Sequence, residues 1–381
     1  MLQRDSFDAL SPLDHRYWDA EPDLFARLSG YLSENAFVRY QLRVEVALVR
    51  ALARRGFCSA AVADEVARAA AAVTPEAVYA EERRTQHNVR ALVNALRARL
   101  PEEARRFVHF AATSVDILDT ARALQYRDVT DELLLPELLS LWQAWAALCR
   151  REAETPQIAR THGQHAVPIT FGFALAEYVS RLGGRIERLA AAAQLLRGKM
   201  AGAVGAYNAS SLFFSDPEAF EREVLAELGL EPGLHATQIV EPEQWADFAH
   251  ALVSTFGVLA NFADDCRHLQ RSEIGEVAEA FDASHQVGSS TMPHKRNPWN
   301  FEHVKSMWKA FAPRMMTVYF DQISEHQRDL TNSASSRFLP EIVVGLAEAA
   351  RRLVRISSRL VVDDARMRAH LEAGAKRAVA E

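Results

Sequence analysis

The sequence predicts an all-α protein, a long helical bundle preceded by a smaller helical domain. Three observations carry this: helical periodicity runs through most of the 381 residues, strand-like alternation is almost absent, and one apolar pattern persists beyond ordinary helix length. With 49% hydrophobic and 25% charged residues, the chain has the makings of a packed core and is neither disordered nor fibrous.

Residues 1–105 alternate Ala-rich with charged patches in short helical stretches, which fits a small domain docked on the rest. Residues 106–362 are expected to form the bundle and 363–381 a tail. The strongest helical pattern runs from Trp245 to Leu269, where Phe248, Leu252, Thr255, Leu259, Phe262, Cys266 and Leu269 recur at steps of four and three and line one face. Val253, Phe256, Ala260 and Ala263 fall on another face, so this helix must be covered on more than one side. Such a helix belongs in a long bundle or is shared between subunits, which predicts an oligomer. Other long helices are expected near 168–200, 297–325 and 333–360, with Pro136 and Pro313 kinking or breaking them locally. Three polar connections stand out, Thr155–Pro168, Gly202–Pro217 and Phe281–Pro298, and connections on a rigid scaffold are where chemistry tends to sit.

The formal net charge of −6 gives no basic field for nucleic acid. Cys58, Cys149 and Cys266 are far apart and form no CxxC pattern, which argues against a disulfide framework or zinc site and for a reducing compartment. The polar N-terminus does not read as a signal or transit segment, and apolar runs such as Ala251–Ala263 fall short of the roughly 20 residues that span a bilayer. No membrane association and a cytoplasmic location are expected.

The last connection holds Gly288-Ser289-Ser290-Thr291-Met292-Pro293-His294-Lys295-Arg296-Asn297-Pro298. In plain structural terms it is a solvated loop with Asn297 near a helix start and Pro298 in the first turn. As a whole it resembles the signature of the fumarase/aspartase superfamily, whose members remove a proton from carbon and expel an amine or hydroxyl to leave fumarate. The resemblance implies a fumarase/aspartase-like bundle, Ser289 as general base, and Lys295 and Asn297 on a substrate carboxylate. Removing a proton beside a carboxylate creates a dianionic aci-carboxylate, which needs preorganised cations and N–H donors. A serine hydroxyl serves as base only where positive charge and amides stabilise its alkoxide, so closure of the loop over substrate becomes part of the mechanism.

Within that superfamily the chain resembles the adenylosuccinate lyases. Arg160-Thr161-His162-Gly163-Gln164 looks like their acid-bearing segment, which makes His162 the general acid for the departing purine nitrogen. Thr113-Ser114-Val115-Asp116 reads structurally as a capped helix N-terminus. It also resembles the family's carboxylate-binding run, so Thr113 and Ser114 are candidates for the succinyl group. His87, on a predicted helix, matches a histidine that contacts substrate beside the acid; the next residue, Asn88, is neutral where relatives carry an acid. Arg16 and Tyr17 match a nucleotide-contacting pair, with His15 in place of a usual glycine. Arg328, Ser333 and Arg337 resemble a phosphate-binding stretch, a set suited to a phosphate dianion. Gln238 and Glu302 sit where relatives have a substrate-binding glutamine and an acidic partner for the signature region, and His303 replaces an asparagine found in some of them.

The resemblance implies β-elimination of fumarate from a succinylated purine nucleotide, no metal or organic cofactor, and a homotetramer whose sites draw residues from several subunits. It runs from Ser11 to about Leu360, and the small C-terminal helical domain of these lyases is expected to be missing. That loss, with His15, Asn88 and His303, keeps open a C–N lyase acting on another N-succinyl compound, or a carboxymuconate cycloisomerase-like enzyme. A non-catalytic structural oligomer is the remaining alternative, disfavoured because Ser289, Lys295, Asn297 and His162 occur together.

Overall fold

The computed structural model describes residues 9–281, 291–292 and 295–375. Helices dominate, as expected. Strands among the described residues form two antiparallel pairs: β1 (Pro156–Thr161) with β2 (Gln164–Thr170), and the two-residue β3 (Val277–Ala278) with β4 (Val361–Val362). The β1–β2 hairpin replaces what reads in sequence as a polar connection. Its residues do not alternate between buried and exposed, so it lacks the period of two that would announce it.

The chain divides into two compact units, each assembled from separate stretches. The first comprises the described residues up to Leu133, together with Ala192–Phe248 and Thr317–Arg337. Its centre is the helix Glu34–Arg54, capped by the Ser33 hydroxyl accepting from the Ala36 N–H at 3.1 Å. Val44, Leu48, Val49 and Leu52 on this helix are fully buried, and it packs on the helix Ser114–Val129.

The second unit comprises Leu134–Ala191, Ala249–Met316 and the described residues from Phe338 onward. Here the helices Leu135–Arg151 and Pro340–Ser358 pack together, and Trp145 stacks on Phe262 with ring centroids 4.3 Å apart. The buried Trp145 indole N–H donates to the Ser357 hydroxyl at 3.0 Å, so the ring is buried without an orphaned donor. The closing helix Asp364–Ala375, in the stretch expected as a tail, lies against β1 and β2.

The long helix runs Glu243–Leu269. Phe248, Leu252, Thr255 and Leu259 are fully buried on one face, and Phe256, Ala260 and Ala263 are buried on the other, as the double pattern requires. Two more of the expected long helices are Phe171–Gln194 and Pro340–Ser358, while the expected helix near 297–325 is split at Pro313 into Trp299–Phe311 and Arg314–Phe320. Pro136 lies in the first turn of Leu135–Arg151, directly after a π-helical turn at Thr130–Leu134.

Candidate functional site

In the first unit, Thr113 is the N-cap of Ser114–Val129, and its backbone N–H donates to the Asp116 carboxylate at 2.8 Å. Asp116 is fully buried and does more than cap. Its carboxylate also accepts from the Gly202 N–H at 3.2 Å and from the ammonium of Lys199, itself fully buried. Lys199 donates further to the Gly202 carbonyl at 3.1 Å, and the Thr120 hydroxyl bridges the Lys199 backbone. A buried pair is tolerable only when both charges are fully engaged, and these bonds satisfy that condition while fixing where Thr113 and Ser114 stand.

One turn further along, Asp119 accepts from the Val240 N–H at 3.1 Å, and the Gln238 N–H donates to the Gln327 carbonyl at 3.3 Å. These bonds string Thr113, Gln238 and Arg328 onto one connected framework. The stretch carrying Arg328 is a compact turn around Asp329, which accepts from the N–H groups of Glu325 and Thr331 and from the Thr331 hydroxyl. Those bonds, the Thr331 hydroxyl first, hold the Asp329 carboxyl below its ordinary range. Arg328 donates to the Asp329 carbonyl at 3.0 Å, and Ser333 and Arg337 follow as exposed residues.

Also in this unit, Arg16 opens the short helix Arg16–Ala20, exposed, with Tyr17 half-buried behind it. His15 before them has φ −138°, outside the left-handed region, so the turn presenting Arg16 does not need a glycine. His87 is not within a helix. It is the N-cap of Asn88–Arg97, after a break at Gln86, whose φ is +54°. The His87 Nδ1 accepts from the Arg90 N–H at 3.2 Å, which puts the ring proton of the neutral form on Nε2, and the residue is exposed. Tyr79, Glu82, Arg83 and Gln86, from the preceding helix and the break, line a concavity of about 350 Å³.

In the second unit, His162 and Gly163 form the two-residue loop between β1 and β2, with φ of +53° and +72°. Positive φ at both loop residues is the twist that matches a two-stranded ribbon. His162 therefore projects, exposed, from the end of a hairpin. The base of that hairpin is held by Glu276, fully buried, which accepts from Gln157 at 2.8 Å, from both terminal nitrogens of Arg160, and from the His370 Nδ1 at 2.8 Å. Burial pushes the Glu276 carboxyl up, but the bonds from Arg160, Gln157 and His370 prevail and hold it below its usual value.

The described part of the signature region belongs to this unit. Lys295 and Asn297 are exposed, and the Lys295 N–H donates to the Met292 carbonyl at 3.0 Å. Arg296 lies over the Phe281 ring at 3.8 Å. Glu302 is exposed in the first turn of Trp299–Phe311. His303 stacks on Trp299, and burial, with the Arg352 guanidinium adding to it, lowers its pKa to about 4. Ser289 lies outside the described residues.

The charged groups that hold these segments are not marked as such in the sequence: Asp116 and Asp119 read as part of a capped helix start, and Lys199 and Glu276 carry no motif. The one signal on offer was the lone lysine in Gly198-Lys199-Met200-Ala201-Gly202, a charge in an otherwise small and apolar run.

Comparison with known proteins narrows the chemistry. A family model described as lyase matches residues 15–310. An adenylosuccinate lyase of Archaeoglobus fulgidus is 35% identical over 363 residues, covering 95% of this chain and 79% of its own length. One from Methanothermobacter thermautotrophicus is 36% identical over 340 residues, covering 88% of this chain and 74% of its own. Among solved structures, a 3-carboxy-cis,cis-muconate lactonizing enzyme from Pseudomonas putida has a TM-score of 0.79 at 28% identity, covering 91% of this chain and 77% of its own. A fumarate lyase from Mesorhizobium sp. BNC1 has the same TM-score at 26% identity, covering 91% of this chain and 78% of its own.

Proposed function

The chain belongs to the lyase family, and from that membership we propose that it eliminates fumarate from adenylosuccinate, and from the related succinyl-carboxamide ribotide. Ser289 takes the Cβ proton of the succinyl group, the C–H electrons become the fumarate double bond, and the C–N bond breaks. His162 protonates the departing purine nitrogen, so AMP and fumarate leave with every proton accounted for. Lys295 and Asn297 meet the aci-carboxylate, Thr113, Ser114 and Gln238 hold the succinyl group, and Glu302 is the acidic partner of the signature region. His87 contacts the substrate beside the acid as part of the catalytic set, Asn88 follows it, and Arg16, Tyr17, Arg328, Ser333 and Arg337 take the nucleotide and its phosphate. No metal or organic cofactor enters the scheme.

The observation that carries this reading is the 35% identity to an adenylosuccinate lyase spread over 95% of the chain, far more than any single motif. Purified protein added to adenylosuccinate is expected to give the ultraviolet change of conversion to AMP. No change at high enzyme concentration, with the oligomer intact, rejects the substrate. A cycloisomerase-like activity is the second reading, favoured by the likeness to the muconate lactonizing enzyme. If replacing Arg328 and Arg337 together leaves substrate affinity untouched, a phosphate-bearing ligand is wrong and that second reading gains.

The working form in this proposal is a cytoplasmic homotetramer with sites shared between subunits. Large apolar side chains left exposed support the association: Phe173 (70%) and Trp299 (60%) in one unit, Phe320 (65%) and Ile323 (79%) in the other. The free thiols of Cys58, Cys149 and Cys266 fit a reducing compartment. Among the described residues no helix is long and apolar enough to cross a membrane.

A further inference from the structure

We infer that Glu276 is a positioning residue for His162: its carboxylate fixes the base of the hairpin that presents the acid and ties that hairpin to the strand leading toward Ser289. The inference rests on the reading of His162 as the general acid.

The geometry begins with a parity problem. In a regular strand, side chains three positions apart point to opposite faces, so Gln157 and Arg160 should not reach one group. The pairing register of β1 with β2 is broken between Ile158 and Arg160. The extra residue is on β2, where Ala166 and Val167 stand opposite Ala159, and it bends and twists the hairpin locally; the long Arg160 side chain and Gln157 both meet the Glu276 carboxylate, Gln157 at 2.8 Å and Arg160 at 3.1 Å from one of its nitrogens. The group that both side chains reach is a carboxylate.

Glu276 is equally committed on its other side. Its N–H donates to the Leu269 carbonyl at 3.0 Å, at the end of the long helix, and its carbonyl accepts from the Asp363 N–H at 3.0 Å. The His370 ring, from the closing helix, completes the set at 2.8 Å. Next in sequence comes β3 (Val277–Ala278), and Ser289 follows it along the chain. One buried carboxylate thus joins the hairpin, the long helix and the approach to the signature segment.

Packing alone gives no reason for a charge here, because an apolar side chain of similar volume holds a core as well as a buried ion pair or better. What directional bonds supply is register. Beyond Arg160 the hairpin continues through the Thr161–Gln164 pair to the His162–Gly163 loop, so the acid stands about 7 Å past the last residue that Glu276 holds, at ordinary strand rise. Any play at the anchor is carried to the imidazole, and a misplacement on the order of 1 Å costs about 100-fold in rate.

The test is a kinetic cycle on the full-length oligomer with adenylosuccinate, using Glu276→Gln, His162→Ala and the double variant. Glu276→Gln is expected to lower kcat by about 10- to 100-fold with KM changed less than about threefold. It should add no further loss once His162 is already alanine, and amide exchange across residues 157–165 should quicken. A kcat within twofold of wild type, or a loss that multiplies in full with that of His162→Ala, overturns the inference and leaves the role of His162 standing. Wild-type turnover by His162→Ala instead overturns the reading beneath it. Should Glu276→Gln fail to assemble, His370→Asn, which removes one donor and keeps the carboxylate, is read the same way with a smaller expected loss.

Discussion

The Thr113 segment and the His162 hairpin are both held by a buried carboxylate, yet they are built in opposite ways. Asp116 sits three residues from the Thr113 amide it accepts from, inside one helical turn, and Lys199 neutralises it from a distant stretch. Glu276 is 116 residues beyond the Arg160 it receives, so the carboxylate that holds the hairpin comes from a distant stretch. The first arrangement presents backbone and hydroxyl groups on a rigid helix end, suited to holding a carboxylate. The second presents an imidazole on an overhang, suited to reaching toward another surface, and its accuracy depends on distant parts of the chain.

The strongest way to break this comparison is to remove the overhanging group. His162→Ala is expected to cut kcat by about 100- to 10,000-fold, the range for losing a general acid, while leaving thermal stability unchanged because the side chain is exposed. A similar fall in melting temperature would mean the ring is structural.

Next comes the helical anchor. Lys199→Met strands the Asp116 carboxylate in the core and should cost about 3–5 kcal/mol in urea unfolding. Adding Asp116→Leu should restore part of that stability while KM for substrate stays raised, since Thr113 has lost its acceptor. If the double variant binds substrate as wild type does, the clamp does not position Thr113.

Acid reaches the unit that carries the hairpin at two groups of opposite behaviour. The Glu276 carboxyl is held below its ordinary value, so its contribution to stability is present above that value and is lost as pH falls through the folded pKa. Glu276→Gln should remove that part of the acid limb. His303 behaves in the opposite sense to a histidine whose pKa is raised on folding. With a folded pKa near 4 against an ordinary 6.5, it binds its proton more readily in the unfolded chain, so stability declines as pH drops from about 6.5 to 4. His303→Asn should flatten that window by on the order of 1 kcal/mol, discounted for partial exposure, in pH-dependent denaturation.

The smallest effect sharpens the helical side. Ala111, two residues before Thr113, has φ of +56°, which for a residue with a β-carbon costs about 1–2 kcal/mol. Ala111→Gly should stabilise the protein by about 0.5–1 kcal/mol once the greater freedom of the unfolded chain is subtracted. A loss of stability would show that the alanine methyl group is packed to advantage.

What could be read beforehand follows the same divide between near and far. The Glu243–Leu269 helix was legible because its two apolar faces are written at fixed intervals, and so were the breaks at Pro136 and Pro313. Thr113 was legible as a cap because its partner is three residues away. The hairpin was not, since burial along its strands does not alternate and leaves no period of two to find. His87 was placed in a helix when it caps the start of one, because a left-handed Gln86 that ends the preceding helix leaves no mark in the local pattern. Glu276 and Lys199 were out of reach for a physical reason: a buried charge is identified by what surrounds it, and its partners lie in other parts of the sequence.

The most direct measurement is fumarate formed from adenylosuccinate by the wild-type oligomer and by His162→Ala, side by side. The proposal predicts fumarate and AMP in equal amounts from the wild type and at least a 100-fold slower release from the variant. Absence of fumarate with the wild type, or equal rates from both, contradicts it.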